Sequence, residues 1–324
     1  MSKKRIAVVG AGNMARTRGR AFIDTGRAEI CAVASRRTAS ARACAAELEC
    51  NLYFDDYRRL AETRPDAMLI ELPHKPQDEV ALWALEEGFD LLIGGPLASN
   101  PDAGKRIVEL AASRNCLVEA GYQRRYDAAW EEIRRLVHSG DLGAPVMAVS
   151  MALWNATPQA WYCDQELSGG MPLTHMSYCY LNAIRWILGE PIAVAAANCR
   201  VGTAPGRVVE ETCGALVHFA GGAFLSATAS YIGPQGLDDA RTRFVCAEGG
   251  VLVDEDSIII FRQGQSERLT FSELSPFTHQ AEVFLDALDS RDLVRNPPAD
   301  ALVDVQLAVA ISASAAERCS IALN

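Results

Sequence analysis

Three absences narrow the reading of this 324-residue chain before any motif is considered. It has ten cysteines but no Cys-x-x-Cys pair and no dense cysteine framework, which argues against a disulfide-stapled scaffold and a zinc ribbon and for small buried thiols in a reducing compartment. It is short of positive charge, with 31 Lys and Arg against 41 Asp and Glu and a net charge of −10, so a phosphate backbone is not its expected partner. It lacks a long apolar run: Met1-Ser2-Lys3-Lys4-Arg5 has the charge of a leader, but Ile6 to Val9 stops at a glycine turn. The expectation is a cytoplasmic protein that meets neither membrane nor nucleic acid. With 49% hydrophobic and 22% charged residues it has a globular composition, and its length suits two domains.

The apolar run Ile6-Ala7-Val8-Val9 reads as a strand buried on both faces. It feeds Gly10-Ala11-Gly12-Asn13-Met14-Ala15 and a helix to about Thr25. This is G-x-G-x-x-A in strand-turn-helix context. The first glycine allows a tight turn, the second lets backbone approach a pyrophosphate, and the small Ala15 lets the helix lie close on the sheet. The second strand, Glu29 to Ala34, ends in Ser35-Arg36-Arg37. A carboxylate here would hold the ribose 2′-hydroxyl of NAD, whereas a hydroxyl and two guanidinium groups suit a 2′-phosphate, so NADP is favoured over NAD. Solvated loop arginines are the competing reading. Strand and helix signals alternate as far as Cys116-Leu117-Val118-Glu119, which predicts a parallel, doubly wound Rossmann sheet over 1–120. Its ligand loops would be 10–15, 35–37, 73–76, 94–98 and 120–125.

From 121 the pattern changes. A helix over Ala128 to Ser139 precedes a long strand, Val146 to Trp154, and strand candidates recur near 192–201, 211–220, 223–232, 242–247, 250–254, 257–263 and 267–271. An α+β domain over 121–324 with an open, mostly antiparallel sheet is expected, one face under helices and the other available to a second subunit.

The order of motifs resembles the Gfo/Idh/MocA family of glucose-fructose-oxidoreductase-like and inositol-dehydrogenase-like proteins, over nearly the whole chain. The motifs are the glycine turn, Pro65-Asp66-Ala67, Pro96-Leu97-Ala98, Ser139-Gly140-Asp141-Leu142-Gly143, Trp161 shortly before Leu167-Ser168-Gly169-Gly170, and Arg185-Trp186-Ile187-Leu188-Gly189-Glu190. The resemblance implies a nicotinamide cofactor, with Leu72, Pro73, His74, Gly94, Gly95 and Pro96 joining Gly10, Gly12, Asn13, Met14, Ser35, Arg36 and Arg37 around it. It also implies a homodimer or homotetramer formed through the second sheet.

The chain departs from the family pattern where the chemistry would lie. Gly94-Gly95-Pro96 stands in place of Glu-Lys-Pro, so Gly95 matches the family lysine. Along a helix expected over Met171 to Leu188, His175, Cys179 and Asn182 match a pattern of Asp or His, then His, then Asp; their i, i+4, i+7 spacing puts them on one α-helical face. Cys179 thus holds the place of the family's proton carrier, and Tyr162 stands where an arginine often follows the tryptophan.

The chemistry then has four candidate side chains, His175, Tyr122, Lys75 and Cys179, the last as a nucleophile where neighbouring positive charge lowers its pKa, with Tyr178 a further phenol. Each has a bland alternative: a structural histidine, pocket walls, an inert buried thiol, a solvated loop lysine. His175 with Cys179 has metal-ligand spacing, but two ligands make no site, and no metal is expected. Arg124, Arg125, Trp154, Trp161, Tyr162, Tyr178 and Asn182 are expected to wall a pocket for a small molecule, and Gly94-Gly95 to widen it. The functional expectation is an NADP-dependent oxidoreductase for a small carbonyl, imine or hydroxyl substrate. The alternative is a redox-silent NADP-binding protein, or a non-redox enzyme on the same fold.

Overall fold

The computed structural model describes residues 3–156, 160–201, 209–233, 236, 239–254, 257–271 and 275–323. The chain divides into two compact units, one of 1–126 with 274–303 and one of 127–273 with 304–324. The expected break at 120/121 therefore lies a few residues later, and 274–303, read as part of the second half, belongs to the first unit.

The first unit is a six-stranded sheet of β1 (Lys4–Val9), β2 (Ala28–Ala34), β3 (Tyr53–Phe54), β4 (Ala67–Ile70), β5 (Asp90–Gly94) and β6 (Val118–Gly121), in the order β3-β2-β1-β4-β5-β6. Every pairing is parallel. Strand order reverses between β1 and β4, which opens a crevice at their carboxyl ends where ligands of doubly wound folds bind. The connecting helices are α1 (Asn13–Asp24), α2 (Thr38–Glu47), α3 (His74–Glu86) and α4 (Pro101–Arg114). The segment Tyr57–Thr63 is a run of 3₁₀ turns capped by Asp56. Ile6, Val8, Ile30, Val33, Leu69 and Leu92 form the buried centre of this unit. The returning helix Pro276–Ser290 joins that core because its apolar face covers α1, with Phe284 edge-on to Phe22 at 6.0 Å.

In the second unit a nine-stranded sheet follows α5 (Ala128–Ser139). Its strands are β7 (Pro145–Leu153), β8 (Pro191–Val201), β9 (Glu210–Phe219), β10 (Phe224–Ser230), β11 (Asp239–Cys246), β12 (Gly249–Asp254), β13 (Ser257–Arg262), β14 (Gln265–Thr270) and β15 (Ile321–Ala322). The order is β14-β13-β12-β11-β7-β10-β9-β8-β15, antiparallel except where β10 runs parallel to β7. Burial alternates along β9, with Cys213, Ala215 and Val217 in the core and Leu216 and His218 exposed, so one face is packed and the other open.

The stretch expected as one α-helix, Met171 to Leu188, is two segments. Pro172–Leu181 is π-helical and Asn182–Leu188 α-helical. In the wider turn hydrogen bonds run i→i+5, so the α-helical stripe of His175, Cys179 and Asn182 is not kept. The helix Pro298–Glu317 is long and apolar enough to cross a membrane by length and composition, contrary to the expectation that no run approaches that length. It buries Ala301, Val305, Leu307, Ala308 and Ile311 together with the charged Asp304, the pattern of a helix lying against protein.

Candidate functional site

In the first unit the glycine turn is built by exclusion. Gly10 has φ +115°, and a Cβ there would lie 2.1 Å from the Glu71 carbonyl oxygen. Gly12 is the N-cap of α1, has nothing within 4 Å of where its Cβ would be, and offers no side chain to the first-turn amides of Asn13, Met14 and Ala15. Open space above uncapped amides is what an anionic pyrophosphate requires. Arg16, not singled out in the sequence, pins the turn by donating to the Ala11 carbonyl at 2.5 Å and pairing with Glu47 at 2.7 Å.

At the end of β2, Ser35 is half-buried and hydrogen-bonded through its backbone to Phe54, while Arg36 and Arg37 are exposed and enter no ion pair among the described residues. Arg37 is the N-cap of α2 and gives it no side-chain cap. Two uncommitted guanidinium groups therefore stand beside a helix N-terminus. These residues fit a dinucleotide: Gly12, Asn13 and Met14 would hold the pyrophosphate, and Ser35, Arg36 and Arg37 the adenosine end.

Farther along the same edge Leu72 and Pro73 are half-buried, and His74 is buried as the first residue of α3. Gly95 joins Pro96 through a cis peptide, and Gln77 donates to the Pro96 carbonyl at 2.9 Å. The expected widening at Gly94 is not found. A Cβ there would lie 2.4 Å from a carboxylate oxygen of Glu71, because Glu71, at the end of β4, already fills that space. Glu71 is paired with Arg18 at 2.5 Å, both side chains buried. Burial pushes the Glu71 carboxyl up and the Arg18 guanidinium pulls it back down. Arg18 also donates to the Gln280 side chain and to the Gly121 carbonyl, so one guanidinium ties three segments together at the carboxyl end of the sheet.

The remaining first-unit candidates are placed differently from expectation. Lys75 lies on the exposed side of α3 and lines a cleft of about 580 Å³ with Tyr57, Asp78, Trp83, Ser99 and Arg106. In that cleft Asp78, bound by the backbone and hydroxyl of Ser99, is pushed up to about 6 by burial. Tyr122 is 1% exposed, buried in the first unit. Arg125 is likewise buried, committed to Asp300 at 2.7 Å and to the Arg295 carbonyl at 3.0 Å, which replaces its expected role against substrate. Arg124 is half-buried on the same short turn, Gln123–Tyr126.

The second unit gathers His175, Trp154 and Tyr162 and adds Tyr231. Since β7 and β10 are parallel neighbours with Leu153 opposite Ser230, the next residues, Trp154 and Tyr231, leave the sheet side by side, their rings 5.1 Å apart. Backbone bonds from Trp154 to Ser230 and from Ala156 to Tyr231 continue the pairing beyond the strands. The left-handed pair Gly169 and Gly170 turns the chain into the π-helical segment, which carries Thr174 and His175 to the same place. The imidazole is surrounded by Trp154, Tyr162 and Tyr231, each ring centroid 4.9 Å away. Its Nδ1 is hydrogen-bonded to the Tyr231 hydroxyl, which also meets Thr174 Oγ1 at 3.0 Å. Trp161 stacks edge-on to Tyr162 and is 38% exposed, and Tyr178 is half-buried.

Asn182 does not join this group. It is 1% exposed and donates to Asp304 at 2.7 Å, beside a two-pronged Arg185–Asp304 bond at 2.9 and 3.0 Å. It holds together a buried charge network, so its expected substrate role is set aside. The side chain of Cys179 lies outside the described residues.

A family model described as an oxidoreductase family with an NAD-binding Rossmann fold matches residues 4–122, and the Gfo/Idh/MocA C-terminal domain model matches residues 130–252. The chain belongs to the Gfo/Idh/MocA family. Among curated relatives it is 29% identical to inositol 2-dehydrogenase 4 of Saccharopolyspora erythraea over 196 residues, which are 59% of this chain and 56% of that protein. It is 25% identical to D-glucoside 3-dehydrogenase of Escherichia coli over 221 residues, 66% of this chain and 61% of that one. The matches thus span less than two thirds of these relatives. A levoglucosan dehydrogenase solved with NADH and L-sorbose shares the fold over the full length of both chains, with a TM-score of 0.91 and 17% identity.

The sequence singles out the glycine turn, the arginine pair and His175 as candidates, and does not single out Glu71 or Tyr231. Glu71 carries one signal, a carboxylate at the end of an otherwise apolar buried strand. Tyr231 carries none, because its position depends on which strands of the second sheet are neighbours.

Proposed function

We propose that this Gfo/Idh/MocA protein is an NADP-preferring oxidoreductase for a small, polyhydroxylated, sugar-like substrate, acting at a hydroxyl, carbonyl or imine. The observation that carries the reading is the first unit's edge: an open N-cap glycine, helix amides without a side-chain cap and two exposed arginines that enter no ion pair among the described residues. A bound nicotinamide dinucleotide would supply hydride chemistry. The amides of Asn13 and Met14 would carry the pyrophosphate charge, and Arg36 and Arg37 would form charge-assisted bonds to a 2′-phosphate. His175, held by Tyr231, is the group we assign to carry the substrate's proton, a role worth roughly 10²–10⁴-fold in general acid–base catalysis. The sugar-like substrate class is supported by what the similar dehydrogenases act on and by the aromatic setting of His175.

The test is titration with NADPH and NADH in parallel at fixed salt, followed by a panel of polyols, aldoses, ketones and imines. Tighter NADPH binding with hydride transfer to or from a panel member supports the proposal, and tighter NADH binding overturns the NADP preference. Binding without transfer to any panel member favours the redox-silent alternative, whose motive is the glycine at 95 where the family resemblance implies lysine.

The same proposal includes assembly of copies through the open face of the second sheet. Leu216, Val149, Val245 and Phe261 all lie on that face and are 37–45% exposed, an apolar surface of the kind that marks an interface. Light scattering showing a monomer at micromolar concentration would remove this part.

A further inference from the structure

We infer that Gln77 and Asp78, consecutive on α3, are positioning residues that hold the loop 95–99 at the nicotinamide end of a bound dinucleotide. This rests on the dinucleotide binding proposed above. The loop joins β5 to α4 and is buried at Pro96, Leu97 and Ala98, so its peptide groups need partners inside the protein. Gln77, 1% exposed, donates from Nε2 to the Pro96 carbonyl at 2.9 Å. Asp78, also buried, accepts the Ser99 N–H on Oδ1 at 3.0 Å and the Ser99 hydroxyl on Oδ2. Two neighbouring side chains thus grip the peptide groups on either side of the buried pair Leu97-Ala98. With the Ser99 hydroxyl proton given to Asp78, Ser99 Oγ accepts from Asn100 Nδ2 at 3.0 Å, and Asn100 Oδ1 caps α4 by accepting the Ala103 N–H, also at 3.0 Å. One chain of bonds ties α3, the loop and the start of α4 together.

The place of this loop follows from strand order. β2, which leads to Ser35-Arg36-Arg37, is the neighbour of β1, which leads to the glycine turn, and β4 and β5 continue the sheet on the far side of β1. With adenosine at the end of β2 and pyrophosphate at the end of β1, the remainder of an extended dinucleotide runs across the ends of β4 and β5, with strands about 5 Å apart. The loop after β5 therefore meets the nicotinamide half. At Gly95 it offers backbone alone, and a backbone group binds only as well as it is held. Gln77 and Asp78 act through Pro96 and Ser99: their bonds fix the loop before a ligand arrives, so the cost of ordering it is not drawn from binding.

Titration of the full chain with NADPH, NADH and ADP-ribose, which lacks the nicotinamide ring, tests the inference at a temperature where parent and variants are folded. Gln77→Met keeps the length of the side chain but cannot donate, and Asp78→Ala removes both acceptors. Each should weaken NADPH and NADH alike, by about 3- to 10-fold, and leave ADP-ribose affinity unchanged. A purely structural role would lower the melting temperature without separating the dinucleotides from the fragment. Asp78→Asn keeps an acceptor for the Ser99 N–H and should recover most of the lost affinity. A second measurement needs no variant: the Gly95 amide resonance of the unmodified protein should move on NADPH binding and stay in place on ADP-ribose binding. Dinucleotide affinities equal to the parent's in both variants, a loss shared by ADP-ribose, or a Gly95 resonance that ignores NADPH overturns the inference and leaves the proposed function standing. A parent that binds neither dinucleotide overturns both.

Discussion

The phosphate turn of the first unit and the histidine cluster of the second are both small polar sites at the ends of strands, yet they are made in opposite ways. The turn is backbone, drawn from one continuous stretch whose glycines are required by a positive φ at Gly10 and a carbonyl 2.1 Å from any Cβ there. The cluster is side chains, brought from β7, β10, a single turn at 161–163 and a π-helical segment. A site made of backbone is a local property of the chain; a site made of converging side chains depends on strand order.

The largest expected effect breaks the first site while sparing the second. Gly10→Ala forces a Cβ onto the Glu71 backbone in a left-handed conformation, with an expected loss of about 3 kcal/mol or more. Gly12→Ala, which meets nothing within 4 Å, should leave the melting temperature near the parent value and weaken dinucleotide binding. Parallel thermal melts and titrations check the contrast; equal melting temperatures for the two variants would mean that the turn is more pliable than its geometry shows.

A second effect concerns Glu119, buried on β6 with hydrogen bonds from Tyr126 and from Gln280 at 3.1 Å. Burial raises this carboxyl to about 7 in spite of its donors. The folded state therefore binds the proton more tightly than the unfolded chain. Its contribution to stability is fully present below the ordinary carboxylate range near 4.5 and is lost as pH rises through about 7, in total about 3 kcal/mol. Glu119→Gln cannot ionise, so its stability relative to the parent should climb between pH 5 and 8. Urea unfolding at several pH values measures this, and a difference that does not vary with pH would count against a proton on Glu119.

These two cases show how far the sequence could be read. Parallel β/α alternation, the glycine turn and the open sheet were legible because hydrophobic period and turn chemistry are local. The π-helical segment was not, since an i, i+4, i+7 stripe is equally compatible with an α-helix, and Asn182 consequently looked aligned with His175 when it faces Asp304. Arg125 looked like a substrate ligand because its partner, Asp300, is 175 residues away in sequence. Gly94 looked like a missing side chain until Glu71 was found in its space.

That last point gives a smaller effect with a clear signature. Gly94→Ala should cost about 1–3 kcal/mol, because the Glu71 carboxylate it would strike is held by Arg18 and cannot swing away freely. In a Glu71→Ala background the same substitution should cost close to nothing. A double-mutant cycle on unfolding free energy reads the coupling directly, and additive costs would show that the two positions do not compete for space.

The smallest effect returns to the edge of the first unit, where two side chains supplement a backbone site. Arg36→Ala and Arg37→Ala remove exposed guanidinium groups that enter no ion pair among the described residues, so folding should not change. Each should weaken NADPH binding by about tenfold and leave NADH binding nearly untouched, since only the former has a phosphate at the 2′ position to lose its partner. The loss should shrink as salt is raised, as expected for a contact between exposed charges. Equal weakening of both dinucleotides would instead assign the arginines to the pyrophosphate or the adenine, and the glycine turn alone would then account for cofactor binding.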